Sequence, residues 1–134
     1  MRYFHNFYGQ LQLTEKFGVI LGFDIGAQQK TKNNSDYHTW YSPVFILKYA
    51  PTEKITIAGR GEYYSDANGV IINTGTINGF QTYGYSLNLD YQIMNNTVWR
   101  IEGRGFTSKD RIFTLNNRAS TQNYFVTTSL AIQF

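Results

Sequence analysis

The 134-residue chain has no cysteine, only two prolines and no apolar run approaching the ~18 residues of a membrane helix. Without thiols there is neither a disulfide framework nor a thiolate metal site. The missing run excludes a transmembrane helix but not a transmembrane barrel, whose signal is alternation within each strand. Charge is sparse as well: charged residues make up 16% and the net charge is +3. That is no case for nucleic acid, which favours a clustered basic face. Residues 1–6 offer no apolar h-region and no cleavage site, so no signal peptide is read there. The two histidines, His5 and His38, lie far apart with no partner set for a metal or a triad.

What is plentiful is tyrosine, phenylalanine and glycine, with 11, 10 and 12 residues. Glycine and aromatics with little proline suit long β-strands with tight corners. Seven segments alternate with period two: residues 3–13, 17–28, 39–49, 54–65, 83–93, 97–107 and 124–134. In the fifth, Tyr83, Tyr85, Leu87, Leu89, Tyr91 and Ile93 oppose Gly84, Ser86, Asn88, Asp90 and Gln92. Pro43 cannot donate to a ladder, so the third segment is expected to carry a bulge or a local irregularity. The connections alternate between short ones near Glu15, Thr52 and Asn95 and long ones at residues 30–36, 66–79 and 108–123. Membrane barrels have that rhythm of short turns and long external loops.

Hairpin registers follow from the short turns. Centring one near Asn95 sets Asp90 opposite Arg100, Leu89 opposite Ile101, Leu87 opposite Gly103 and Tyr85 opposite Gly105. Centring another near Thr52 sets Phe45 opposite Gly59 and Leu47 opposite Ile57. Large side chains thus meet glycines, an arrangement that covers bare strand backbone. Weak repetition accompanies the hairpins: Ile57-Ala58-Gly59-Arg60-Gly61 echoes Ile101-Glu102-Gly103-Arg104-Gly105, and Thr-Glu-Lys recurs at Thr14 and Thr52.

A two-faced meander fits two architectures. A lipocalin-like soluble barrel turns its apolar face inward around a ligand; a membrane barrel turns it towards lipid. Three features favour the second. Aromatics gather near strand ends, with Phe17, Tyr49, Tyr91, Trp99 and Phe134 on the short-turn side and Tyr41, Tyr63, Tyr83 and Tyr124 towards the other. The segments run ~10 residues or more, enough to cross a bilayer at a tilt. The sequence also stops on its last segment, where Tyr124, Val126, Leu130, Ile132 and Phe134 share one parity. Such an end resembles the closing strand of bacterial outer-membrane barrels, which the barrel assembly machinery reads.

The segments Gly59-Arg60-Gly61-Glu62-Tyr63-Tyr64-Ser65-Asp66, Gly69-Val70-Ile71, Tyr85-Ser86-Leu87-Asn88-Leu89-Asp90-Tyr91, Trp99-Arg100-Ile101-Glu102-Gly103-Arg104, Ser108-Lys109-Asp110, Ile112-Phe113 and Thr128-Ser129-Leu130-Ala131-Ile132 carry a resemblance. From about Tyr37 to the end the chain resembles the OmpL-like β-barrel porins of Bacteroidetes. The resemblance implies an outer-membrane barrel that passes small hydrophilic solutes. An odd count of seven strands and the absent signal peptide lead us to expect the C-terminal part, residues 1–134, of a single larger all-β barrel: an antiparallel up-and-down transmembrane β-barrel, here incomplete.

On the polar parity stand Asp24, Lys48, Arg60, Glu62, Asp90, Arg100, Glu102 and Arg104. They are candidates for lining a water-filled lumen, where Arg60, Arg100 and Arg104 would slightly favour anions. Equally, they form a structural lattice of ion pairs filling a narrow lumen, Asp90 with Arg100 among them. No catalytic set is found. Gly59-Arg60-Gly61 lacks the strand-to-helix setting of a phosphate loop, and Asp66-Ala67-Asn68-Gly69 reads as a turn and not a calcium loop. Glu62 and Glu102 stand near arginines that keep them ionised. The expected partners are outer-membrane lipid, the assembly machinery and small solutes, with no enzyme activity and no cofactor. Adhesion through the 66–79 loop is the other functional reading.

Overall fold

The computed structural model describes residues 1–32 and 35–134; Asn33 and Asn34, within the long loop expected at 30–36, lie outside the described residues. Seven long strands form one antiparallel sheet: β1 (Arg2–Gln12), β2 (Phe17–Gln29), β3 (Tyr37–Tyr49), β4 (Ile55–Asp66), β5 (Phe80–Met94), β6 (Thr97–Ser108) and β9 (Gln122–Ile132). Each pairs with its neighbour in the order β1-β2-β3-β4-β5-β6-β9. The short strands β7 (Phe113–Leu115) and β8 (Arg118–Ser120) make a separate hairpin in the last long loop. Among the described residues β1 and β9 each keep one unpaired edge, so the meander is an all-β up-and-down sheet that does not close, as an incomplete barrel is.

Two of the short turns share one device, and it accounts for the threonine of the repeated Thr-Glu-Lys. Thr14 Oγ1 accepts the backbone N–H of Phe17 at 3.1 Å, and Thr52 Oγ1 accepts that of Ile55, also at 3.1 Å. A threonine hydroxyl satisfies the first free donor of the outgoing strand and so fixes where it starts. At the far end, the β4–β5 loop is tied by Asp66, which is fully buried. Its carboxylate accepts the N–H groups of Val70, Ile71 and Ile72 at 2.7–2.9 Å. Gly79 closes that loop at φ 62°, where a Cβ would stand 2.5 Å from the Asp66 carbonyl oxygen, so no other residue fits.

The registers agree with expectation in one hairpin and correct it in another. Asp90↔Arg100, Leu89↔Ile101, Leu87↔Gly103 and Tyr85↔Gly105 all stand opposite. Between β3 and β4, however, Phe45 faces Gly61 and Leu47 faces Gly59, while Ile57 faces Tyr49. The parity is as expected but the pairing is slid by two residues, because the Thr52 bond sets the turn and the turn sets the register. Pro43 makes no bulge. It pairs in step with Phe23 on β2, and on the β4 side pairing lapses between Tyr41↔Ser65 and Val44↔Glu62 without any change of register. A missing N–H removes a bond without adding a residue. Among the described residues the one register shift falls between Gln92 and Met94. The last strand, expected to run to Phe134, ends at Ile132 opposite Thr97. Beyond that its partner turns away; the Gln133 N–H still reaches the Asn96 carbonyl, and the Asn96 side-chain amide donates to the Gln133 carbonyl.

Burial is inverted relative to a water-soluble sheet. Along β5, Tyr83, Tyr85 and Leu87 are 61%, 47% and 62% exposed, whereas Thr82 on the opposite parity is 3% exposed. The inversion extends across the central strands: Phe17, Leu21, Phe23, Phe45 and Leu47 are exposed, while Ser42, Thr56, Ser86 and Asn88 are half-buried. Among the described residues the single buried large apolar side chain is Trp40, and it lies on the polar parity, laid over Gly26. The chain exposes 9404 Å², against roughly 7,200 Å² for a compact monomer of 15.5 kDa.

Candidate pore-facing surface

The more buried, hydrophilic parity collects the charged side chains, because period-two alternation sends residues 56 to 66, 82 to 92 and 100 to 108 of even number to the same side. Lys48, Arg60, Asp90, Arg100, Glu102 and Arg104 line one trough of about 370 Å³. Glu62 stands one rung beyond it and links two of them. Its carboxylate accepts from Arg60 on its own strand, with Nε at 3.0 Å, and from Arg104 on β6. Strand β5 lies between, and what allows the crossing is Gly84, which pairs with Glu62. A Cβ there would come within 2.5 Å of Glu62 Oε1 and 2.7 Å of its Cγ. The Arg104 guanidinium also sits 5.0 Å above the Phe106 ring, a cation–π contact.

Asp90 and Arg100 form a two-point pair, Nε to Oδ1 at 2.6 Å and Nη2 to Oδ2 at 2.5 Å. Asn88 adds an amide donor to Asp90 at 3.3 Å. Arg100 is half exposed, so the pair contributes about 0–1 kcal/mol and mainly sets direction. Asp24 stands apart from the trough and accepts from Asn6 on β1. It lines a second inward cavity with Arg2, Phe4, Trp40, Tyr64 and Ile71. The eight charges expected on this face therefore split: six share a trough, Glu62 ties two of them, and Asp24 belongs to the loop end. Arg60, Arg100 and Arg104 are all paired with carboxylates.

Sequence reasoning missed three contributors. Gly84 was read only as a small residue on the polar parity, since alternation gives no hint of a diagonal bridge across a strand. Asp66, read as the first residue of a turn, also anchors the loop through its side chain, and the turn reading did not reach that role. Tyr64, Phe80 and Phe106 share the hydrophilic parity, a breach of the pattern visible in the sequence.

The opposite face carries the aromatics of both strand ends. Phe17 stacks on Tyr49 with centroids 4.5 Å apart, and Tyr91 stands opposite Trp99. Towards the long loops, Tyr41, Tyr63 and Tyr83 run across three strands at 6.0 and 4.5 Å. Tyr85 covers Gly105, whose added Cβ would meet its ring at 2.5 Å, whereas Gly59 and Gly103 beside Leu87 stay open. Tyr124, Val126, Leu130 and Ile132 are exposed on this face of β9, with Phe134 beyond the strand.

Comparison with curated proteins and with solved structures finds no match. A family model does match, and it extends past the resembling region that began near Tyr37, through β1 and β2 to Met1. An antiparallel meander with its apolar face exposed and its charges gathered behind it agrees with that match: over residues 1–134 the chain belongs to the family described as "Putative beta-barrel porin-2, OmpL-like".

Proposed function

We propose that residues 1–134 supply seven consecutive strands of an outer-membrane β-barrel that passes small hydrophilic solutes by passive diffusion, with no catalytic step and no cofactor. The observation that carries this reading is the inverted burial: on one strand Leu87 is 62% exposed, while Thr82 on the opposite parity is buried at 3%. Hydrocarbon is the solvent that makes such an apolar face favourable, at about 1.5–3 kcal/mol for each large side chain taken from water. The paired charges then border an aqueous lumen, and the exposed parity of β9 presents itself to lipid and to the assembly machinery. Ile71 of the β4–β5 loop lines an inward cavity with Trp40 and Tyr64, which supports a part of that loop in the pore mouth over one devoted to adhesion.

The test is reconstitution of the natural full-length protein in planar bilayers. Stepwise conductance with permeation of small uncharged solutes into liposomes is expected. A protein that inserts, retains its β-structure and conducts nothing would contradict the pore.

A further inference from the structure

We propose that the outward face carries a binding site for an anionic, phosphate-bearing membrane lipid, with an acyl chain lying in a hollow of the sheet and the headgroup at Lys109. The site rests on the orientation proposed above, in which this face meets hydrocarbon. Its lower part is an open hollow of about 690 Å³. Pro43 and Gly61, the smallest lining residues on the outward parity, form its floor, and Phe23, Phe45, Tyr63 and Tyr85 stand around them. The sequence itself makes the hollow. On the rung Leu21–Phe45–Gly61–Tyr85 three large side chains flank one residue that has none. A Cβ added at Gly61 would meet nothing within 4 Å, so no neighbouring ring covers the gap and it opens to the membrane.

Towards the long loops a second hollow, of about 380 Å³, shares Tyr63 and Tyr83 with the first. The rest of its lining is polar: Gln81, Thr107, Ser108 and Lys109. The Lys109 N–H donates to the Gln81 carbonyl at 3.1 Å. That bond carries the β5–β6 pairing one rung past Thr82↔Ser108 and keeps Lys109 on the parity of Tyr83 and Thr107. The Gln81 side chain is held in place, accepting from the Tyr63 hydroxyl at 3.4 Å and donating to the Asn78 carbonyl at 2.9 Å.

Charge complementarity chooses the headgroup. The outward parity of the seven long strands carries no Asp, Glu, Lys or Arg. Lys109 is the first ionic group beyond that band at this hollow. It is exposed, and among the described residues its ammonium forms no ion pair. The adjacent carboxylate, Asp110, is engaged by two bonds from Asn78. An ammonium at the rim of an uncharged, aromatic-walled band attracts a lipid phosphate, and a charge-assisted hydrogen bond fixes it there. A free phosphate would leave the apolar hollow empty, and a lipid without net charge would leave the lysine unmatched.

The experiment uses the natural full-length protein in neutral detergent, with bound lipid counted by native mass spectrometry. The probes are dioleoylphosphatidylglycerol and dioleoylphosphatidylcholine, which share their acyl chains and differ in net charge. Phosphatidylglycerol is expected to bind about fivefold tighter. Lys109→Gln should abolish that preference and Lys109→Arg should keep it. Gly61→Leu, which fills the acyl seat, should weaken both lipids about threefold. Equal affinity for the two lipids overturns the proposal, and that comparison needs no variant to fold. A preference that survives Lys109→Gln, binding untouched by Gly61→Leu, or displacement of phosphatidylglycerol by inorganic phosphate would overturn it as well. Oxygen relaxation of a spin label at Leu87→Cys, in liposomes, separates the site from the reading beneath it. A label that meets lipid in a protein without the preference defeats the lipid site alone. A label shielded from lipid defeats the orientation, and the site with it.

Discussion

Glu62 reaches Arg104 only because residue 84 has no side chain. Gly84→Ala forces the carboxylate aside, since the clash involves Cγ as well as the terminal oxygen. The bridge to Arg104 should be lost while that to Arg60, on the same strand, survives. Charge follows from the same geometry: the four basic and four acidic members of this face, Lys48, Arg60, Arg100 and Arg104 against Asp24, Glu62, Asp90 and Glu102, cancel. Glu62→Gln leaves one positive charge in excess and should shift the bilayer reversal potential towards anion selectivity; Arg104→Ala should shift it the other way. An unchanged reversal potential in both would remove these residues from the conduction path. Gly26 is another close approach, with Trp40 laid so near that an added Cβ would stand 2.0 Å from its ring. Gly26→Ala should cost about 1–3 kcal/mol by overpacking, read as an earlier urea midpoint by tryptophan fluorescence in micelles. The parity of the eight charges and the Asp90–Arg100 pair were legible in the sequence, because alternation and a short turn define direct opposites. The Glu62–Arg104 bridge was not, because it crosses an intervening strand.

The long strands were legible to within a few residues at each end, since ten or more alternating residues leave little freedom of interpretation. The small β7–β8 hairpin was not. Each arm is three residues, too short for alternation to register, and the surviving signal was Asn116-Asn117, both with positive φ at 50° and 60°, the geometry of a tight two-residue hairpin turn. The β3–β4 register was missed by two residues for a related reason: the turn centre was placed by length, while the Thr52 hydroxyl sets it by bonding. The β4–β5 and β6–β9 loops are also tied to each other. Asn78 donates to Asp110 from its side-chain amide at 2.8 Å and its backbone N–H at 3.0 Å, and these bonds hold the Asp110 carboxyl below its ordinary value. A carboxyl lowered by folding stabilises the tie above its unfolded pKa, and the contribution is lost as pH falls through the folded value. Hydrogen exchange at the Asn78 amide should therefore be equally protected at pH 7 and pH 5, and protection should fade only below about 3.9, the free aspartate value. Opening between pH 7 and pH 5 would refute the tie.

Across the whole sheet, alternation could say that two faces differ but not which of them looks at solvent, because a ligand-binding barrel and a membrane barrel share the same period. Burial separates them: the polar parity is the more enclosed, and the surface exceeds that of a compact monomer of this mass. A charge placed on each face weighs the difference. In lipid, Leu87→Arg should destabilise the natural full-length protein by about 2–4 kcal/mol, while Ser86→Arg, one residue away on the inward parity, should cost far less. Two similar costs would mean that the faces share one environment. The absence of cysteine in this chain makes the most direct measurement simple. Single Leu87→Cys, Leu130→Cys, Ser86→Cys and Asn88→Cys variants of the natural full-length protein, spin-labelled in liposomes, report which solvent each position meets. Relaxation by oxygen dissolved in lipid is expected at 87 and 130, and relaxation by a water-soluble nickel chelate at 86 and 88. The reverse assignment, with 87 and 130 shielded from lipid and 86 and 88 immersed in it, would contradict the orientation and the pore along with it.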